Sequence, residues 1–336
     1  MRALSCDEPG KLRIIERAEP VAEDGEVLVR IRHIGICGTD YHIFHGNQPY
    51  LSYPRVIGHE LGGEVAMAPA GSSLELGQIV TIMPTLYCGH CRACKADRTN
   101  CCQHLEVLGV HRDGGACDYI AVPERNVIPA HGLTARQAAM VEFLAIGAHG
   151  VERGGVNGTS RVVVVGAGPI GIAATIFCKA RGAHVSVVDI NTRRLAFCAD
   201  ELRAEAVFEV SNDIQARLGT ATNGDFFDVV IDATGNPGAM QKGFGLVCHG
   251  GAYVLLSLVR ADISFSDPEF HKRETTLLAS RNATRQDFET VLAGIRAGNV
   301  PVHALATHGG SLNDAPALIP PWSKPQSGVI KAIVTV

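Results

Sequence analysis

The chain has 336 residues with 46% hydrophobic and 19% charged side chains, a composition of a folded globular protein and far from the disordered range. Its formal charge of −4, without a long Lys/Arg run, excludes a nucleic-acid or anionic-membrane surface as the main function. No apolar run approaches the roughly 18 to 20 residues of a membrane span. The opening "MRALSCDEPGKLRIIERAEP" has no apolar signal core, so a cytoplasmic setting with reduced thiols is expected. The length suits two domains.

In chain order, the first 130 or so residues read as short alternating strands broken by Gly and Pro. "GEVLVRIRHIGI", "GQIVTIMP" and "GACDYIAVP" carry the period-two pattern expected of a small β-barrel or sandwich. From Arg161 the pattern changes. "RVVVVGAGPIGIAATIFCKARGAHVSVVDIN" is a buried strand, a Gly-rich turn, an Ala-rich helix and a second buried strand. "FDVVIDATG", "GGAYVLLSL" and "TTLLAS" are further apolar runs of a doubly wound parallel α/β sheet. "DFETVLAGIRAGNV" then reads as an amphipathic helix and "GVIKAIVTV" as a closing strand, a segment expected to return to the first domain.

Gly166, Gly168 and Gly171 form GxGxxG between a strand and a helix, with Pro169 and Ile170 in the variable places. Glycines there let the backbone approach a pyrophosphate at the helix N-terminus. Asp189 ends the next strand, where a carboxylate accepts from the adenosine ribose and repels a 2′-phosphate, favouring NAD over NADP. Arg193 and Arg194 follow and soften that preference. A bound nicotinamide implies hydride transfer.

Cys88, Cys91 and Cys94, with a fourth thiol at Cys101 or Cys102, have the spacing of a closed tetrahedral zinc site, which is structural because substrate has no open position. Iron–sulfur ligation expects other spacings, and a disulfide framework is disfavoured by the reduced compartment. Cys37, His59, Glu60 and Glu142 form a scattered mixed-donor set, in which water or an alcohol can take a position on a metal. Spacing alone leaves this second set open, since each member also has an ordinary packing or surface explanation. The other thiols, Cys6, Cys117, Cys178, Cys198 and Cys248, have no ligand spacing, and Trp322 reads as a packing residue.

Taken together, "CGTDYH", "GHELGGEV", the Cys88 to Cys102 lobe and "GAGPIG" resemble the zinc-dependent medium-chain alcohol/polyol dehydrogenases over essentially the whole chain. The resemblance implies a GroES-like β-barrel catalytic domain carrying two zincs (residues 1–145 and 283–336) and a Rossmann NAD-binding domain (146–282). It implies catalytic-zinc ligands at Cys37, His59 and Glu142, with Glu60 on the metal or on its water. It implies a proton relay through Thr39 and His42, and structural-zinc ligands at Cys88, Cys91, Cys94 and Cys102 with Cys101 spare. Lys331, near the end, is expected either at the cofactor pyrophosphate or in solvent. Homo-oligomers, dimer or tetramer, are usual in the family.

"GNQPYLSYPRVIGHE", "RTNCC", "GVHRDGG" and "FSDPEFHKRETTLLASRNAT" are similar to the bacterial sugar-acid (aldonate) dehydrogenases of that family. Arg281 and Asn282 in "SRNAT" are then expected at the substrate, the arginine gripping a carboxylate or pairing with an acid near the metal. Neutral-polyol and threonine dehydrogenases are the neighbouring alternatives. A zinc-less quinone-reductase-like enzyme and a non-catalytic NAD-binding protein are the more distant ones. Phe143 departs from the proline that usually follows the ligand glutamate.

Overall fold

The computed structural model describes residues 1–336, the Pro325 side chain aside. Contacts divide the chain into two compact units, Met1–Phe143 with Thr284–Val336, and Leu144–Ala283. Among the described residues no helix is long and apolar enough to cross a membrane.

The first unit is organised by one eleven-residue strand, Glu26–Ile36, which places Val27, Val29, Ile31 and Ile34 in the core. Burial of each such side chain contributes about 1.5–3 kcal/mol. Along one edge the strand pairs antiparallel with Glu60–Met67; along the other it pairs first with Tyr119–Pro123 and then with Lys331–Thr335. Seven strands join this sheet, and a three-stranded sheet holds the N-terminal hairpin Arg2–Glu8 and Lys11–Glu16. Register matters here. Gly35 faces Glu60, and Ile36 faces Ala332, so the last residues of the long strand lie beside the first residues of two others. The closing strand thus supplies the central strand's partner from 295 residues away in sequence, as the Lys331–Ile36 hydrogen bond records.

Two elements of the return segment have no announcing periodicity. The strand Ala306–Ser311 runs parallel to Lys331–Thr335, and a helix, Ala315–Trp322, lies between them in sequence. Pro320 and Pro321 near the end of that helix work against it locally, because proline removes backbone donors. Burial of Ala315, Ile319 and Trp322 in the core outweighs the local preference.

In the second unit six parallel strands take the order Ala206–Glu209, His184–Asp189, Arg161–Val165, Phe227–Asp232, Val247–Leu255, Thr276–Ala279. The first strand of the unit is therefore central, with its neighbours leaving in opposite directions, the switch point at which doubly wound sheets bind ligands. Val162, Val163 and Val164 are wholly buried, which explains the unbroken apolar run.

Candidate active site

The helix Gly38–Phe44 starts where the long strand ends, and its N-cap is Cys37. Asp40 closes a capping box there: one carboxylate oxygen accepts the Cys37 N–H at 2.9 Å. The other oxygen accepts the Gly58 N–H at 3.2 Å and lies 3.9 Å from His59 Nδ1. One fully buried carboxylate thus ties together the segments that carry Cys37 and His59. Sequence reasoning passed over Asp40; its signal is an acid three places after the cysteine, at the N3 position of a helix.

Sulfur of Cys37, one ring nitrogen of His59 and one carboxylate oxygen of Glu60 all lie within 4.8 Å of one another. Glu142 stands in the first turn of the helix Val141–Arg153, buried but outside that mutually close set. Burial pushes its carboxyl up to about 7, with Glu60 and Asp40 adding to the rise and His59 and Lys331 opposing it. For His59, burial pulls downward, but the charges of Cys37 and Asp40 hold the ring well above the usual histidine value. The Glu60 and Glu142 carboxyls and the Cys37 thiol act on the one ammonium, that of Lys331, while Asp40 sits by His59. His59 Nδ1 is buried with no hydrogen-bond partner. Excess negative charge, mixed S/N/O donors and an orphaned ring nitrogen fit a divalent zinc.

Lys331 corrects an expectation. Its ammonium is neither solvated nor free for a pyrophosphate: the residue is 1% exposed and Nζ donates to Glu60 Oε1 at 2.7 Å and Oε2 at 2.8 Å. Removing one partner of such a buried pair costs about 3–5 kcal/mol, because the other charge is left uncompensated. Thr39 is half-buried and His42 exposed, three places apart and hence on one face of their helix.

A second constellation occupies a lobe based on the strand pair Thr85–Leu86 and Glu106–Val107. Sulfurs of Cys88, Cys91, Cys94 and Cys102 group within 4.8 Å, with Cys91–Cys94 at 3.5 Å, Cys88–Cys102 at 3.5 Å and Cys91–Cys102 at 3.9 Å. A tetrahedron of Zn–S bonds of about 2.3 Å has edges of about 3.8 Å. The separations match that geometry and are too long for disulfides, and all the cysteines are free. Backbone N–H groups of Cys88, Cys91 and His104 point at these sulfurs. Backbone hydrogen bonds bring the Cys91 thiol down to about 6, whereas burial and its sulfur neighbours push Cys94 up to about 12. Four thiolates do not coexist there without a cation. Cys102 is buried inside the group and Cys101 is exposed outside it.

The second unit carries the Gly-rich turn. Gly166 has φ of +95°, and a Cβ on Gly171 would lie 1.7 Å from the Gly166 carbonyl oxygen, so both positions need glycine. Gly168 caps the twelve-residue helix Pro169–Ala180, with Pro169 at its first position, and Gly168, Pro169 and Ile170 are partly exposed. That leaves a helix N-terminus open to an anion. Asp189 accepts the Ala167 N–H with one oxygen and the Asn191 N–H, at 2.7 Å, with the other. It braces the turn, and its remaining lone pairs stay available to a ribose. Asn191 accepts the backbone N–H groups of Arg193 and Arg194. Arg281 is exposed and Asn282 half-buried in the loop after the last strand, Asn282 with φ of +53°.

Comparison with known proteins gives a consistent picture. Residues 23–132 match the alcohol dehydrogenase GroES-like domain, and residues 169–296 match the zinc-binding dehydrogenase domain. L-galactonate-5-dehydrogenase of Escherichia coli (strain K12) is 43% identical over 309 residues, 92% of this chain and 91% of its own. 2-Dehydro-3-deoxy-L-galactonate 5-dehydrogenase of Pseudoalteromonas atlantica is 31% identical, over 85% of each chain. Among solved structures, a short chain alcohol dehydrogenase from Escherichia coli CFT073 complexed with NADH superposes with a TM-score of 0.93 at 29% identity, covering 100% of this chain and 99% of the other.

Proposed function

The chain belongs to the zinc-type medium-chain alcohol dehydrogenases, and from that premise we propose that it oxidises the secondary hydroxyl of a sugar acid, an aldonate of the L-galactonate type, with NAD. The observation that carries the substrate class is the 43% identity to L-galactonate-5-dehydrogenase over nearly the full length of both chains. Zinc in the Cys37 pocket supplies Lewis acidity that makes a substrate hydroxyl easier to deprotonate, and the nicotinamide supplies the hydride acceptor.

The chain's own residues account for the rest. Cys37, His59 and Glu142 hold the metal, with Glu60 beside them. Asp40 orients the Cys37 and His59 segments through its two backbone hydrogen bonds. Thr39 receives the hydroxyl proton and His42, exposed one turn further, releases it to water. Gly166, Gly168, Pro169, Ile170 and Gly171 seat the dinucleotide phosphates, Asp189 reads the ribose, and Arg194 lies near by. Cys88, Cys91, Cys94 and Cys102 hold a structural zinc.

Arg281 gives the acid preference its chemistry, since a guanidinium binds a carboxylate bidentately, and Asn282 beside it serves the substrate hydroxyls. The test assays wild type and Arg281→Ala with NAD on an aldonate, a neutral polyol and threonine. Wild type is expected to prefer the aldonate. The variant is expected to lose about 1.5–3 kcal/mol of transition-state binding on the acid alone. Equal losses on acid and polyol, or a wild-type preference for polyol or threonine, reject the sugar-acid reading.

A further inference from the structure

Behind the metal pocket stand three residues that no ligand role uses: Gly35, Phe143 and Lys331. The Lys331 ammonium spends its three donors on Glu60 Oε1, Glu60 Oε2 and the Ile36 carbonyl oxygen, the last at 3.3 Å. Its remaining side rests over the Phe143 ring, 4.2 Å from the centroid, and that ring is itself wholly buried. Gly35 is the cross-strand partner of Glu60, and a Cβ on it would come within 2.0 Å of Glu60 Oε2. The carboxylate is therefore laid against bare backbone on one side and against the ammonium on another. Glu60 also keeps an oxygen within 4.8 Å of the Cys37 and His59 donor atoms. It stands between the Lys331 ammonium and the Cys37/His59 donor atoms.

A desolvated ring face attracts an ammonium electrostatically, which an aliphatic side chain of similar size does not. We infer that Phe143 is a positioning residue: by holding Lys331 against its ring it keeps the Glu60 carboxylate on the ammonium and off the metal. The inference rests on the zinc reading of the Cys37 pocket.

Cobalt(II) exchanged into the full-length protein gives the readout, taken as the difference spectrum against Cys37→Ser so that only the pocket contributes. Four-coordinate cobalt absorbs more strongly in the visible than five- or six-coordinate cobalt. Phe143→Leu is expected to lose visible intensity, as the released carboxylate joins the metal, and Phe143→Tyr to keep the wild-type spectrum. Lys331→Met is expected to show the same loss, and Phe143→Leu/Lys331→Met no more than Lys331→Met alone, since the two act through one contact. If Lys331→Met does not fold, the Leu and Tyr variants decide by themselves. A wild-type spectrum in Phe143→Leu, equal loss in Phe143→Tyr, or additive losses in the double variant overturn the inference and leave the zinc reading standing. Wild type indistinguishable from Cys37→Ser overturns both.

Discussion

The thiol lobe and the Cys37 pocket lie in one compact unit and both gather metal-ligating groups, yet they are built in opposite ways. The lobe takes four like donors from fifteen consecutive residues, surrounds them with backbone N–H groups and leaves no position unfilled. The pocket takes unlike donors from the segments around Cys37, His59 and Glu142, and adds a lysine from the last strand. A closed, local, symmetrical site suits stability. A mixed site, assembled from distant segments and carrying an orphaned nitrogen and a crowded set of acids, suits binding something that changes.

The contrast is sharpened first by the variant expected to do most damage. Structural zinc contributes roughly 10–16 kcal/mol in small zinc-folded peptides, and the lobe's own apolar cluster has only Leu105 besides the cysteines as a buried member. Cys102→Ser is therefore expected to shed one zinc and to unfold the lobe, read as a halved zinc content and a lowered melting temperature. Cys37→Ser should shed the other zinc and abolish turnover while the melting temperature stays near wild type. Comparable melting losses in the two variants would erase the distinction between the sites. Asp40→Asn keeps the shape but weakens the grip on both segments, and a loss of about 10–100-fold in metal affinity or activity is expected. The smallest effect belongs to Cys101→Ser. That side chain lies outside the sulfur group, so zinc content and stability should match wild type; loss of a zinc there would move the fourth ligand.

Legibility in the sequence followed the range of the interaction. The Gly166–Gly171 turn and the Cys88–Cys102 cluster were readable because their geometry is local: a fixed spacing sets which residues come together. Period-two and continuous apolar runs located the long strand and the buried sheet for the same reason. Cys37, His59 and Glu142 could not be joined by spacing, and only resemblance to a family linked them. Ala315–Trp322 was hidden by two prolines whose helix is held by core burial. The Lys331–Glu60 pair has no sequence signal, because 271 residues separate the two partners.

By itself the sequence determined the two-domain order, the Gly-rich turn and the thiol lobe, since these rest on short-range sterics and on donor spacing. Only the tertiary structure decided what Glu60 does. Its partners Gly35 and Lys331 are set beside it by strand register, and Phe143, on a helix, stacks against the Lys331 ammonium. Among buried groups, the charge each carries is set by such neighbours as well as by its own residue type.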